Sequence, residues 1–194
     1  MRQIHDADPF DTSGFPFWQD DQHPGSVAST KTIKQTAERL AKGDIVGWYQ
    51  GHGEIGPRAL GNRSVLMNPN VENGKDIINS KVKFREPYRP FGASVLLDHV
   101  NDYFEWDEPS PYMLYVQKVR DPKAFAPITH VDNTCRIQTV GNENPLYAEL
   151  IEEFRKLTGI PMLLNTSLNV NTKPIAGYKS NCWDIFHKTA IDLS

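Results

Sequence analysis

The sequence is poor in cysteine, in net charge and in long apolar runs, and each shortage excludes a class of protein. Two cysteines, Cys135 and Cys182, are too few for a disulfide framework or a four-thiolate zinc site, so a reducing, cytoplasmic location is the default expectation. No apolar run approaches the ~18 residues of a membrane helix, and residues 1–10 lack the apolar core of a secretion signal. The formal net charge of -3 gives no overall attraction to nucleic acid. A hydrophobic fraction of 39% in 194 residues indicates one globular domain with a sizeable core.

Common catalytic and nucleotide-binding motifs are also missing. There is no GxSxG nucleophile elbow and no Walker A sequence, and the segment GHGEIG resembles a dinucleotide-binding motif without its strand-to-helix setting. The six histidines show no metal-ligand spacing, so we expect no metal site. Neither cysteine has a positioned base, and both are expected to be inert packed thiols. Any phosphate binding must therefore come from local clusters of basic residues.

Hydrophobic periodicity divides the chain into an irregular arm, residues 1–28, and one domain, residues 29–194. A turn of helix is expected at Pro57, and residues 189–194 resemble a strand cut short, which suggests an excised domain or a nearby natural terminus. The alternation of helices and strands predicts an α/β domain with a mixed sheet flanked by helices. The predicted helices are 29–41, 71–83, 145–157 and 179–188, and the predicted strands are 44–49, 64–67, 91–97, 112–119, 136–140 and 160–164.

Basic residues stand at the junctions of these predicted elements, interleaved with Gly, Pro and Ser. Ligands bind at such junctions in α/β domains, and a guanidinium group matches phosphate or carboxylate oxygens in pairs. Several of them converging would form an anion pocket for a nucleotide or an acyl phosphate. Any one of these basic residues, taken singly, also has a simpler explanation, as a solvated surface side chain or as an ion-pair partner of Glu54, Glu86 or Asp132. The residues are Arg58, Arg63, Lys83, Arg85, Arg89 and Arg136.

A polar turn follows the last predicted strand, in the segment LLNTSLNVNTKPI at residues 163–175. The side chains of Asn165 and Ser167 offer amide and hydroxyl groups to an anion, together with exposed backbone N–H groups. An ordinary turn held by side-chain-to-backbone hydrogen bonds explains the same residues. This segment alone does not decide between the two.

Four segments together resemble the C-terminal domain of the O-carbamoyltransferases, a family that includes NodU and the cephem and tobramycin carbamoyltransferases. Matches in this order and spacing over residues 30–194 are far more specific than one short motif. Two of these segments depart from the family pattern, at two positions each. HVDGTAR is here HVDNTCR, with Asn133 and Cys135 in place of small residues, and FAPS is here FGAS, at residues 91–94; both changes affect local backbone shape. The segments are GHGEIGPRALGNRSVLMNP, VKFREPYRPFGASVL, HVDNTCRIQTV and TGIPMLLNTSLN.

The resemblance implies a YrdC-like mixed, twisted sheet flanked by helices, which binds ATP and carbamoyl phosphate and makes carbamoyl-adenylate. Mg²⁺ is the ion expected to accompany ATP. In complete family members, an N-terminal domain that carries its own metal transfers the carbamoyl group to an acceptor hydroxyl. That partner domain is not in this sequence, so this chain corresponds to the activation half of a biosynthetic transferase.

Carried over by motif, the family's catalytic contacts fall on Arg58, Lys83 and Arg89, and its nucleotide-binding contacts on Arg136, Asn165 and Ser167. The resemblance implies that phosphates and developing charge are neutralised by Lys83, Arg89 and Arg136. Arg58 would orient the carbamoyl or phosphate group, and Asn165 and Ser167 would fix acyl or α-phosphate oxygens.

The alternative is a non-catalytic YrdC-like module in which the same arginines bind nucleotide or RNA. The net charge of -3 and the lack of aromatic residues among the arginines argue against RNA.

Overall fold

A computed structural model describes residues 30–192, so the predicted arm lies outside the described residues. The fold is built on one six-stranded sheet with the order β1-β2-β6-β3-β5-β4. Every neighbouring pair is antiparallel except β3 and β5, which run parallel. The expected mixed sheet is therefore confirmed. The strands are β1 Val46–Tyr49, β2 Arg63–Met67, β3 Gly92–Leu96, β4 Tyr115–Lys118, β5 Thr134–Val140 and β6 Met162–Ser167.

Helices cover both faces of this sheet, in agreement with the predicted α/β class. They are α1 Thr30–Ala41, α2 Gly74–Ile78, α3 Val100–Tyr103, α4 Pro145–Thr158 and α5 Lys179–Lys188. Helix α2 continues as a π-helical turn, Asn79–Lys83, and so accounts for most of the predicted helix 71–83. As predicted, Gly43 and Gly159 take left-handed φ values of 91° and 78° just after α1 and α4.

Two apolar clusters hold the layers together. On one face, fully buried Leu40 of α1 and Phe154 of α4 pack with Leu66 and Leu163 of the sheet. On the other face, Ile78, Val100 and Ile185 from α2, α3 and α5 lie with strand residues such as Ala93 and Leu164. The apolar run at the start of β6 is buried from both sides, as its sequence predicts.

Two local predictions were wrong. Pro57 lies in a run of bends rather than a turn of helix, because the carboxylate of Glu54 organises this loop: its Oε1 accepts hydrogen bonds from the backbone N–H groups of Leu60 and Asn62. In the described part of the last segment, residues 189–192, there is no strand. Instead, Asp192 and Ile45 exchange two hydrogen bonds of 2.8 Å, one of them through the Asp192 side chain.

Candidate functional site

A cavity of about 120 Å³ opens at the end of the sheet where β3 and β5 begin and β6 ends. Its walls come from the loop after β1, the segment before β3, and the ends of β5 and β6. Four of the six predicted site residues line it, although they are spread over more than 100 positions of the sequence. The polar residues of the lining are Arg58, Arg85, Arg136, Asn165, Thr166 and Ser167.

The strand register explains this convergence. Gly92 of β3 pairs with Asn165 of β6 on one side and with Arg136 of β5 on the other, so these residues form one row across three strands. A Cβ atom at Gly92 would lie 2.9 Å from the backbone oxygen of Arg136 and 3.1 Å from Sδ of Met113. Glycine therefore allows Met113 to close the cavity over the sheet. Gly92 is one of the two positions at which FGAS departs from the family pattern FAPS.

Three guanidinium groups without carboxylate partners surround the cavity. None of the ion pairs among the described residues involves Arg58, Arg85 or Arg136. Burial lowers the pKa of the Arg136 guanidinium, and the nearby Arg58 lowers it further. Burial and Arg89 likewise lower the pKa of Arg85. This mutual repulsion makes the cavity favourable for an anion, which would relieve it.

Arg85 was not among the six site residues predicted from the sequence. Its Nε donates to Oδ1 of Asn79 at 2.7 Å, and its guanidinium carbon lies 4.9 Å from the centre of the Phe91 ring. These two contacts aim a cation into the cavity without neutralising it. Its place among the basic residues at element junctions was the only sequence signal for this role.

Lys83 lies behind the cavity rather than in its lining. The side chain is 3% exposed, and Nζ donates to the backbone oxygens of Ser167 and Asn169 and, at 2.9 Å, to Oδ1 of Asn169. Burial lowers the pKa of Lys83 to about 7, with Arg85 adding to the decrease. Lys83 thus fixes the turn that carries Ser167, whose hydroxyl donates to Asn169 Oδ1 at 2.7 Å.

Arg89 also lies outside the cavity lining. Its Nε pairs with Glu86 at 3.1 Å, and the two side chains are 47% and 50% exposed. The structure therefore brings together Arg58, Arg136, Asn165 and Ser167, connects Lys83 to them through the turn after β6, and leaves Arg89 at the surface.

A second cavity, of about 620 Å³, adjoins the first. Pro57 and Arg58 line both, so the two form neighbouring compartments. The larger one lies between the glycine-rich loop, residues 50–58, Tyr112, Leu114 and the first turn of α4. Burial raises the pKa of Glu54, which holds this loop, against the lowering effect of its three backbone hydrogen bonds.

Neither cysteine offers a thiolate for covalent catalysis. Burial raises the pKa of Cys135 to about 12 and that of Cys182 to about 11, so neither is a thiolate at neutral pH. Between residues 30 and 192, no group of three or more His, Cys, Asp or Glu side chains is arranged to hold a metal ion.

Comparison with known proteins identifies the family. A model of the carbamoyltransferase C-terminus matches residues 37–194. The chain belongs to the carbamoyltransferase C-terminal family. It is 46% identical over 164 residues to nodulation protein NolNO of Sinorhizobium fredii, covering 81% of this chain and 24% of that protein. It is 43% identical over 133 residues to 3'-hydroxymethylcephem-O-carbamoyltransferase of Streptomyces clavuligerus, covering 68% of this chain and 25% of that enzyme. The chain thus spans about a quarter of these relatives' length.

Solved structures confirm the YrdC-like fold of this family member. Escherichia coli YciO superimposes with a TM-score of 0.61 at 17% identity, covering 87% of this chain and 79% of YciO. Full-length HypF, in its phosphate- and nucleotide-bound form, gives a TM-score of 0.57 at 20% identity, covering 83% of this chain and 24% of HypF. No helix in residues 30–192 is long and apolar enough to cross a membrane.

The other departure from the family pattern has a local explanation. Asn133 stands where the family usually has glycine, and it adopts a left-handed φ of 62°. Asparagine tolerates this conformation better than most residues, so the turn before β5 keeps a glycine-like shape.

Proposed function

We propose that this domain binds ATP and carbamoyl phosphate and forms carbamoyl-adenylate, the activation step of an O-carbamoyltransferase. The observation that carries the proposal is the cavity bounded by Arg58, Arg85 and Arg136, three cations without a carboxylate partner among the described residues. Membership of the carbamoyltransferase C-terminal family supports the choice of a carbamoyl group over other acyl groups.

The two compartments suit the two substrates. The cavity of about 120 Å³ is well below the roughly 300–1,000 Å³ of pockets that hold drug-sized ligands, so it fits a small acyl phosphate. The neighbouring cavity of about 620 Å³ falls within that range and fits a nucleoside. Arg58 stands at their border, where the α-phosphate of ATP would meet the carbamoyl group.

The chemistry needs positioning and charge neutralisation but no protein nucleophile. Carbamoyl phosphate, water and ATP give carbamoyl-adenylate, phosphate and pyrophosphate. Water first hydrolyses carbamoyl phosphate to carbamate and phosphate, and a carbamate oxygen then attacks the α-phosphorus of ATP as its bond to the oxygen of the pyrophosphate leaving group breaks. The cavity arginines reduce the repulsion between these anions, and Lys83 holds the turn that presents Ser167. Arg89 would join them once its ion pair with Glu86 opens.

The proposal places Mg²⁺ on ATP and places the acceptor-binding step outside this domain. Since the described residues contain no cluster that could hold a metal ion, we assign Mg²⁺ to the phosphates of ATP. Transfer to the acceptor hydroxyl is assigned to the part of the relatives that this chain does not cover.

Exchange of labelled pyrophosphate into ATP tests the proposal. The protein, alone and with the N-terminal region of a relative added, is given ATP, Mg²⁺ and carbamoyl phosphate. We expect exchange that depends on carbamoyl phosphate, is lost in Arg136→Ala and is kept in Arg120→Ala, an exposed arginine bound only to Asn101. Acceptor carbamoylation is expected only when the N-terminal region is present. No exchange in either setting, together with tight salt-sensitive RNA binding, would favour the non-catalytic module.

A further inference from the structure

A buried amide network lies beneath the small cavity, and its hydrogen bonds fix which atoms face which way. Gln138 is 3% exposed, and its Nε2 donates to the backbone oxygen of Leu60 at 2.9 Å. A backbone carbonyl oxygen can only accept, so the amino group of Gln138 must point to Leu60. Its Oε1 therefore points the other way, where it accepts from the Ser94 hydroxyl at 2.7 Å.

The same reasoning fixes the side chain of Asn165. Its Nδ2 lies 3.0 Å from the backbone oxygen of Ala59, 2.9 Å from Ser94 Oγ and 3.3 Å from Gln138 Oε1. Two of these atoms can only accept, and Ser94 already donates its proton to Gln138. Rotating the amide by half a turn would set its oxygen against these acceptors, so the amino group stays in the network.

This orientation turns the carbonyl oxygen of Asn165 away from the three acceptors that surround its amino group. Asn165 is 1% exposed and lines the cavity, and its Oδ1 is buried without a hydrogen-bond partner. Across Gly92, in the same row of the sheet, the buried Nε of Arg136 also has no partner. A buried polar atom without a partner is costly. The cavity is thus complementary to a ligand that has both an anionic oxygen and an N–H donor.

We infer that Asn165 determines specificity for the carbamoyl group by accepting a hydrogen bond from its amino group, an inference that rests on the proposed function. Carbamoyl phosphate has an N–H donor at one end and phosphate oxygens at the other. Acetyl phosphate has nearly the same shape, but a methyl group replaces the amino group. Bound acetyl phosphate would leave Asn165 Oδ1 buried and unpaired. A site that is built to hydrogen-bond a polar group of its substrate rejects analogues that lack this group. The expectation that Asn165 fixes an acyl or phosphate oxygen would require a donor where the structure has an acceptor.

Calorimetric titration of the full chain with carbamoyl phosphate, acetyl phosphate and inorganic phosphate tests this inference. In the wild type, carbamoyl phosphate should bind about tenfold more tightly than acetyl phosphate, the factor expected for one hydrogen bond. Asn165→Leu and Asn165→Ala should bring this ratio close to one while inorganic phosphate binds as before. Asn101→Ala, which removes a surface amide outside both cavities, should leave the ratio unchanged.

Failure of the inference and failure of the proposed function give different results. If the wild type binds both acyl phosphates equally and Arg136→Ala weakens both, Asn165 does not select the carbamoyl group although the anion site is real. If neither binds, or if Arg136→Ala changes nothing, the proposed function itself fails. Equal binding of the two acyl phosphates by the wild type would overturn the inference even if both substitutions at Asn165 are unstable.

Discussion

Arg63 and Arg136 differ in how their guanidinium groups are satisfied. Arg63 is 1% exposed, lies 3.5 Å from the centre of the Tyr49 ring, and donates to the backbone oxygens of Gln50, Asn62, Gly51 and Gly177. Arg136 lines an open cavity and lies near Arg58, and no ion pair or side-chain hydrogen bond among the described residues involves its guanidinium group.

The comparison shows that the role of each arginine follows from the acceptors that its guanidinium group finds within the protein. Arg63 joins the glycine-rich loop to the sheet and to the segment before α5, so its charge supports the fold. No described residue accepts a hydrogen bond from the Arg136 guanidinium, so its charge is available to an anionic ligand in the cavity. Both arginines stood at junctions in the sequence, and only the structure separates them.

Removing Arg63 should have the largest effect and should act on stability. Arg63→Met leaves several carbonyl oxygens near the loop without a donor, so we expect a loss of about 3 kcal/mol or more in the free energy of unfolding. That corresponds to a fall of roughly 6–12 °C in Tm for a domain of this size. Thermal unfolding by circular dichroism measures it, with Arg120→Met as the exposed control. An unchanged Tm would show that Arg63 does not support the fold, which would contradict the comparison with Arg136.

Removing Arg136 should instead act on binding. Arg136→Ala should unfold at nearly the wild-type temperature, because the loss of one cation relieves repulsion with Arg58. Its affinity for ATP and for carbamoyl phosphate should fall by about 1.5–3 kcal/mol, the range of charge-assisted hydrogen bonds. Calorimetry beside Arg120→Ala gives the difference. A strong loss of stability with unchanged affinity would place Arg136 in the same class as Arg63.

Lys83 differs from both Arg63 and Arg136, because its main expected effect is on how the free energy of unfolding depends on pH. Its pKa is about 7 in the folded protein and 10.5 as the ordinary value, so between these pH values the unfolded chain binds more protons than the folded one. The contribution of Lys83 to the free energy of unfolding should therefore rise with pH over this window, by up to about 1.4 kcal/mol per pH unit. Urea unfolding of wild type and Lys83→Met from pH 6 to pH 9 measures it. Parallel pH profiles of the two proteins would show that Lys83 is protonated throughout.

The smallest effect is expected at Arg89. Exposed ion pairs contribute about 0–1 kcal/mol, so Arg89→Ala should leave Tm unchanged and weaken ATP binding by about fivefold at most. Glu86→Gln, which frees Arg89 from its partner, should bind ATP slightly more tightly. If Arg89→Ala loses as much ATP affinity as Arg136→Ala, Arg89 contacts the nucleotide directly, as is proposed for Arg136.

The elements of this fold could be predicted because periodicity is a local property. Two such patterns can be recognised in the sequence: the buried stripe of α4, with Leu150 and Phe154, and the apolar run of β6. Irregular backbone could not be predicted in this way: Phe84 and Met113 take left-handed φ values of 48° and 55°, which bulky residues rarely adopt.

The residue types of the candidate site could be read from the sequence, but their arrangement could not. Strand register decides which side chains share a face, and a shift of one residue would move Arg136 and Asn165 to the opposite side of the sheet. No residue type in the sequence reveals that both pair with Gly92. The sequence also did not separate Lys83, which is buried at the end of a π-helical turn, from Arg85, which lines the cavity, because that turn and the left-handed Phe84 between the two residues are irregular backbone.

A crystal structure with phosphonoacetamide, a stable analogue in which a methylene group replaces the bridging oxygen of carbamoyl phosphate, tests the central claim most directly. Our account predicts that its phosphonate lies between Arg58, Arg85 and Arg136, with its amide nitrogen within hydrogen-bond distance of Asn165 Oδ1. An analogue bound elsewhere, with Arg136 Nε still without an acceptor, would contradict it.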